Sequence, residues 1–220
     1  MSALTTRMLV LGAVQIFGPV NGYQLRRELL SWEVERWAHV NPGSIYSMLT
    51  TLEKQGAIAR HDVELEGARP VAVYTVTPDG SAEFERMVFD AIATVPDSGD
   101  ALPMRVAMNF GATLSRAQFL DAVAERIRLF WAGVEEFDAK LDALREPLPV
   151  PPHVLSELRL ELALMRAQLD WLIELQGEVR DGGLVFRGEG EHAWMPPADD
   201  PGWRMAEERA RYQAAIDATS

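Results

Sequence analysis

The stretch Asn41-Pro42-Gly43-Ser44-Ile45-Tyr46-Ser47-Met48-Leu49-Thr50-Thr51-Leu52-Glu53-Lys54-Gln55-Gly56 has a marked start, a marked end and two unlike faces. Asn41 is a helix-capping residue type, Pro42 suits the first helical position because its missing N–H has no partner there, and Gly56 suits the stop. Ile45, Met48, Leu49 and Leu52 recur at helical spacing as a narrow apolar stripe. The opposite face carries Gly43, Tyr46, Ser47, Thr50 and Lys54, with Thr51 at its edge and Glu53 to the side. A solvated face in an acidic chain would ordinarily carry carboxylates. Small hydroxyls, one phenol and one ammonium instead suit hydrogen bonding to base edges and phosphates in a DNA major groove. A solvent-facing helix with no ligand is the alternative for this face taken alone.

Moving outward, Leu4 to Phe17 reads as a helix stopped by Gly18-Pro19. Asn21 and Gln24, three residues apart, read as a capping box opening a second helix with Leu25, Leu29 and Trp32 on one face. After Gly56, the segments Ala57–Val63 and Val71–Val76 flank a loop and predict a hairpin. Thr77-Pro78 starts another helix, with Phe84, Met87, Val88 and Ala91 on its buried side. Three helices, a two-stranded wing and a fourth helix add up to a winged helix-turn-helix. Arg26, Arg27, Lys54 and Arg69, the last near the wing tip, are its phosphate candidates.

The ordered pieces Gly18-Pro19-Val20-Asn21-Gly22-Tyr23, then Asn41-Pro42-Gly43-Ser44-Ile45-Tyr46 with Leu49, Leu52, Glu53 and Gly56, then Arg69, Tyr74, Thr77 and Gly80, resemble the PadR family of bacterial transcriptional regulators over about Leu4 to Val95. One departure is Asn21, where that family more often has His or Ser; Asn also caps helices. The resemblance implies a dimeric repressor, its Tyr46 helix in the major groove of a pseudo-palindromic double-stranded operator and its C-terminal helices forming the homodimer. The DNA-contacting set is then Arg26, Arg27, Asn41, Gly43, Ser44, Tyr46, Ser47, Thr50, Lys54 and Arg69. Some PadR relatives bind flat aromatic compounds against tryptophan at the dimer centre. Trp131 and Trp171, which otherwise read as packing residues, are the corresponding candidates for a small aromatic effector.

In the second half, Pro96 to Pro103 reads as a polar connector. Leu120, Val123, Ile127, Phe130, Val134, Phe137, Leu141 and Leu144 then recur at alternating three and four residues. So do Leu155, Leu158, Leu162, Met165, Leu169, Leu172, Gln176 and Val179. These are coiled-coil seams, and the proline-rich run Pro147 to Pro152 between them predicts an antiparallel pair. Such a pair leaves Leu129, Trp131, Leu160, Leu164 and Trp171 uncovered, which calls for a second copy of the chain. Residues 181–203 read as irregular, and Trp203 to Ile216 as a short final helix whose simplest expected place is against the helical pair.

The expected architecture is therefore mainly α with a small β-hairpin wing. A winged helix DNA-binding domain spans 1–95, and a coiled-coil-like helical domain for dimerisation and effector binding spans 102–220. The net charge of −12 over 220 residues argues against non-specific nucleic-acid binding. It is unequally shared: the first 94 residues carry −3 and the remainder −9. Of 21 basic residues all but Lys54 and Lys140 are Arg, which favours planar, bidentate contacts. The absence of cysteine excludes disulfides and thiolate chemistry. The apolar run Met8 to Val14 is too short to span a membrane, so a soluble protein is expected, and the lack of cysteine fits a cytoplasmic location. His39, His61, His153 and His192 lack metal-binding spacing, and Ser44 lacks the surroundings of a nucleophile. No enzyme, metal or cofactor is expected. A protein-interaction or ligand-sensing module on the same scaffold, without DNA binding, is the alternative function.

Overall fold

The computed structural model describes residues 3–65, 69–96, 101–144, 150–190 and 202–218. They fall into two compact units. One lies within Met1–Val88, Leu102–Phe110 and Glu191–Ser220, the other within Phe89–Ala101 and Gly111–Gly190.

The first unit is a winged helix. Helix α1 (Ala3–Phe17) is its hub: Met8 to Val14 are all buried, so an unbroken apolar run is what its position requires. Helix α2 (Gly22–Ser31) opens on the expected capping box. Asn21 Oδ1 accepts from Gln24 N at 2.9 Å, and Gln24 Oε1 accepts from Asn21 N at 3.0 Å. A one-turn helix α3 (Val34–Trp37), too short to show a period in the sequence, separates α2 from α4 (Pro42–Lys54). Strands β2 (Ile58–Val63) and β3 (Val71–Val76) form the antiparallel wing. A two-residue strand β1 (Val20–Asn21) adds to β3, so the sheet has three strands in the order β1-β3-β2 rather than two. Helix α5 (Pro78–Ala93) follows, and α6 (Leu102–Met108) packs on α1. Leu102 and Pro103 thus belong to a helix and not to the polar connector, because Met104, Val106 and Ala107 have core to fill.

Helix α9 (Gly202–Asp217) also belongs to this unit, not to the helical pair expected to receive it. Its Tyr212 and Ile216 are buried with Val63 and Val73 of the wing, flanked by Leu65, Val71 and Ala215. The wing strands present a valine-rich face that a bare hairpin would leave in water, and α9 covers it.

One junction holds the wing and α4 in register. Gly56 ends α4 with φ +74, a left-handed value that costs glycine nothing. The next carbonyl, Ala57 O, accepts from Thr77 N at 3.1 Å and from Thr77 Oγ1 at 3.1 Å; Thr77 Oγ1 also reaches Gly56 O at 2.7 Å. Thr77 Oγ1 in turn caps α5, accepting from Gly80 N at 3.0 Å. A Cβ on Gly80 would lie 1.9 Å from Ala57 O, inside a backbone atom. Above this knot, the Arg7 guanidinium clasps Glu83 with two hydrogen bonds of 2.6 and 2.8 Å and Gln55 Oε1 with a third of 2.5 Å, tying α1, α5 and the end of α4.

The second unit is a helical pair, α7 (Arg116–Ala143) and α8 (Pro152–Arg180). Helix α7 is 28 residues long, which at 1.5 Å per residue is about 42 Å. Residues 144–151 reach at most about 30 Å when fully extended, too little to return to the start for a parallel partner. The pair is antiparallel: Arg116 at the start of α7 donates to Val179 O at the end of α8. Every expected seam position is buried or half-buried, with Leu175 taking the buried place beside Gln176. Residues 181–190 are irregular but anchored. Arg116 binds Glu189 bidentately at 2.7 Å, donates to Leu184 O at 2.7 Å and lies over the Phe186 ring. Trp194 lies outside the described residues, as does the middle of the reversing run, Pro147 to Pro149.

Two outcomes are expected. Gly80→Ala, which helix propensity alone would favour by about 1 kcal/mol, should instead destabilise by about 2 kcal/mol or more because the methyl meets backbone; urea denaturation measures it. The Glu83 carboxyl is held below its ordinary value of 4.5, chiefly by the hydrogen bond from Arg7. Its contribution is complete above that ordinary value and lost as pH falls through the depressed one. The stability advantage over Arg7→Met should therefore shrink on acidification, as thermal melts against pH would show.

Candidate nucleic-acid interface

Helix α4 exposes the face that the sequence singles out. Gly43, Tyr46, Ser47, Thr50, Thr51 and Lys54 are all exposed, while Ile45, Leu49 and Leu52 are fully buried. Asn41 occupies the N-cap position with extended backbone, but its side chain makes no capping bond. Ser44 ties itself to that residue instead, its N and Oγ both donating to Asn41 O at 3.0 and 2.6 Å. The Asn41 side chain is therefore not committed to capping and stands at the exposed, positive end of the helix dipole.

The hydroxyls are already engaged as donors. Ser47 Oγ donates to Gly43 O at 3.2 Å, Thr50 Oγ1 to Tyr46 O at 3.1 Å and Thr51 Oγ1 to Ser47 O at 2.9 Å. Each keeps lone pairs outward, and each must leave a helix carbonyl before it can donate to a ligand. Tyr46 and Lys54 are the side chains on this face that can donate at no such cost.

Tyr46 is 45% exposed, and its ring edge rests on the start of α2. A Cβ on Gly22 would come within 3.0 Å of Tyr46 Cε1, so the glycine makes room for the ring. Next to it, α9 completes the α2 capping box. The two amides use their oxygens for the box and their nitrogens for α9: Asn21 Nδ2 donates to Tyr212 Oη at 3.0 Å, and Gln24 Nε2 donates to Glu208 Oε2. Gln24, buried at 4% exposure, is thereby satisfied on both sides. Nothing in the local pattern around Asn21 announces a partner almost two hundred residues away. The only signal was the departure from the family's usual residue.

The phosphate candidates are not equivalent. Lys54 and Arg69 are exposed, Arg69 next to the wing-tip residues 66–68, which lie outside the description. Arg26 is half-buried. Arg27 turns aside to Glu28 at 3.1 Å, and its Nε is buried without a partner. Arg60 on β2, missed by the sequence reading, is exposed and paired with Asp62 at 2.9 Å. In the second unit, Trp131 and Trp171 are 50% and 43% exposed on α7 and α8.

Residues 10–86 match the transcriptional regulator PadR-like family. That segment lies within the winged helix. The match covers α4, the wing and most of α5, so Gly56, Thr77 and Gly80 of the backbone knot all fall inside the PadR-like segment. Among solved structures, the chain is similar to Bacillus subtilis PadR in complex with operator DNA, at 19% identity over 79% of this chain and 98% of that one, with a TM-score of 0.35. It is likewise similar to a PadR-like transcriptional regulator from Bacillus cereus, at 20% identity over 80% and 99% and a TM-score of 0.34. A third is Bacillus subtilis PadR in complex with p-coumaric acid, at 18% identity over 80% and 99% and a TM-score of 0.31. In sequence, no curated protein matches the chain. Among the described residues, no helix is long and apolar enough to cross a membrane.

Tyr212→Phe keeps the ring among Val63 and Val73 and removes only the acceptor for Asn21. It should lower the stability of the winged-helix unit by about 1 kcal/mol, read from the denaturation midpoint at an unchanged urea dependence.

Proposed function

We propose that this protein is a homodimeric, sequence-specific DNA-binding repressor whose α4 helix enters the major groove and whose DNA affinity is lowered by a small-molecule effector. The observation that carries the reading is the exposed face of α4, which holds no carboxylate in a chain of net charge −12. A chain so acidic approaches DNA only through a locally neutral or basic surface, and α4 supplies one ending in Lys54. Tyr46 and Lys54 are the main contacts, with Asn41, Gly43 and Ser44 at the helix start close to a phosphate. Ser47 and Thr50 contribute less, since each gives up a bond to α4 on contact. Arg26, Arg27 and Arg69 add backbone contacts, Arg27 only after leaving Glu28.

Dimerisation is supported by the apolar side chains left in water on the helical pair: Trp131, Leu160, Leu164, Trp171 and Ile173. A second copy would cover them and give the two-fold arrangement that a pseudo-palindromic site needs. The effector reading is supported by the p-coumaric acid complex of Bacillus subtilis PadR, with Trp131 and Trp171 as stacking candidates. A cytoplasmic location follows from acting on DNA.

Fluorescence anisotropy against DNA from upstream of the protein's own gene, with shuffled DNA as control, tests the proposal. Saturable binding preferring the native fragment is expected. If Arg26, Arg27, Lys54 and Arg69 act in both subunits, log K should fall against log salt with a slope of roughly −7. Tyr46→Ala should weaken operator binding at least tenfold without altering the dimer, and Ser47→Ala should cost less. Equal, weak binding to both DNAs, or full affinity in Tyr46→Ala, would overturn the assignment and favour a protein partner for this face.

A further inference from the structure

Helix α9 carries three arginines, Arg204, Arg209 and Arg211, and the fold uses them unequally. Its buried stripe is Met205, Tyr212 and Ile216. Arg209 lies on the flank turned to α1, where its Nη1 donates to Ile16 O at 3.4 Å. Glu208 marks the other flank: its Oε2 accepts from Gln24 Nε2 in the first turn of α2. Arg204 stands four residues before Glu208 and Arg211 three after it, spacings that place all three on one helix face. Ala215, four residues beyond Arg211 on that flank, packs at the wing. Arg211 therefore stands between the start of α2 and the wing, and Arg204 about one turn to the other side of the Gln24 contact.

Both of these arginines are exposed, and among the described residues no carboxylate pairs with either. Two acids are spaced to do so. Glu208 follows Arg204 by four residues but is turned to Gln24. Glu207 precedes Arg211 by four, the favourable order for a helical ion pair, and forms none. The flank that holds these two cations borders the exposed face of α4. Tyr46 rests against Gly22 at the start of α2, and Glu208 and Tyr212 reach the same turn through Gln24 and Asn21. A helix lying in a major groove has a phosphate backbone along each side of it, because the groove is only about 12 Å wide.

We propose that α9 is a further phosphate-contacting element beside α4 and the wing, with Arg204 and Arg211 binding the sugar–phosphate backbone of the duplex on the α2 side of α4. The proposal rests on the reading of α4 as the helix in the major groove. Guanidinium suits the task, because its rigid fork can give two hydrogen bonds to one phosphate. In a chain of net charge −12, two cations held free of carboxylates beside α4 offset part of the repulsion that DNA meets elsewhere. Contacts to phosphate carry no base sequence, so α9 adds affinity without changing which site is preferred. The polar bonds of Asn21 and Gln24 to α9 then have a use beyond stability, since they fix where its arginines stand.

Anisotropy titrations of the full-length protein on the upstream fragment, at several salt concentrations, test it. Each phosphate contact adds about 0.9 to the slope of log K against log salt. Arg204→Gln combined with Arg211→Gln should therefore flatten the slope of a dimer by roughly 3 to 4. It should also weaken native and shuffled DNA by the same factor. Arg204→Lys with Arg211→Lys keeps the charge and should keep most of the slope. Arg209→Gln removes a like charge from the other flank and should leave the slope unchanged, which separates a local contact from a change in net charge. All three positions are exposed, and melting temperatures check that each variant is folded. An unchanged slope in the double Gln variant, or equal flattening per charge in Arg209→Gln, would overturn the role of α9. The reading of α4 would stand in either case, provided Tyr46→Ala still loses the fragment. Failure of the unaltered protein to prefer the native fragment overturns that reading, and the α9 proposal with it.

Discussion

The carbonyl of Ala57 is where α4, the wing and α5 meet. It accepts from both the backbone and the hydroxyl of Thr77, and Gly80 approaches it so closely that no other residue fits. The tilt of α4 against the wing is set here by a backbone-to-backbone contact, which fixes it more rigidly than side chains can. Gly56, Thr77 and Gly80 each touch this point, which is why their spacing across two strands marks the fold so specifically.

A second constraint works from the other end of α4. Tyr46 rests on the first turn of α2, and that turn is held by a capping box whose two amides bond at both ends, oxygens within the box and nitrogens towards Tyr212 and Glu208. A chain segment far along the sequence thus becomes part of the winged helix. It also covers Val63 and Val73, so the wing of this protein is a three-layer structure of helix, sheet and helix rather than a free hairpin. The buried polar groups make this seat specific, because an apolar contact alone would tolerate other registers.

The helical pair follows simpler rules and breaks one of them. Its seams bury leucine, valine and phenylalanine at heptad spacing, as a coiled coil demands. Arg126 sits three residues after Val123 and four before Phe130, on the same face, where the pattern asks for an apolar side chain. The position could have been noticed by counting, since a charge at a seam-facing site is visible in the sequence. What the count could not supply was the identity of its partners: the carbonyls closing α5, to which Arg126 donates, come from more than thirty residues away.

Local signals were decisive wherever the determining forces were local. Helix starts at Asn21, Pro42 and Pro78, the stop at Gly56, the wing strands and both seams follow from capping, backbone restriction and apolar period, all of which act within a few residues. The exposed face of α4 was legible for the same reason, since its bareness of carboxylates is a property of one helix. The one-turn helix α3, the two-residue strand β1 and the start of α6 were not legible, because each is too short for a period and forms only against a neighbour. The seat of α9, the turning aside of Arg27 to Glu28 and the carbonyl partners of Arg126 were decided by the tertiary structure alone. Each depends on which groups come within hydrogen-bonding reach in space, and a side chain's partners, unlike its period, are not written in its sequence neighbours.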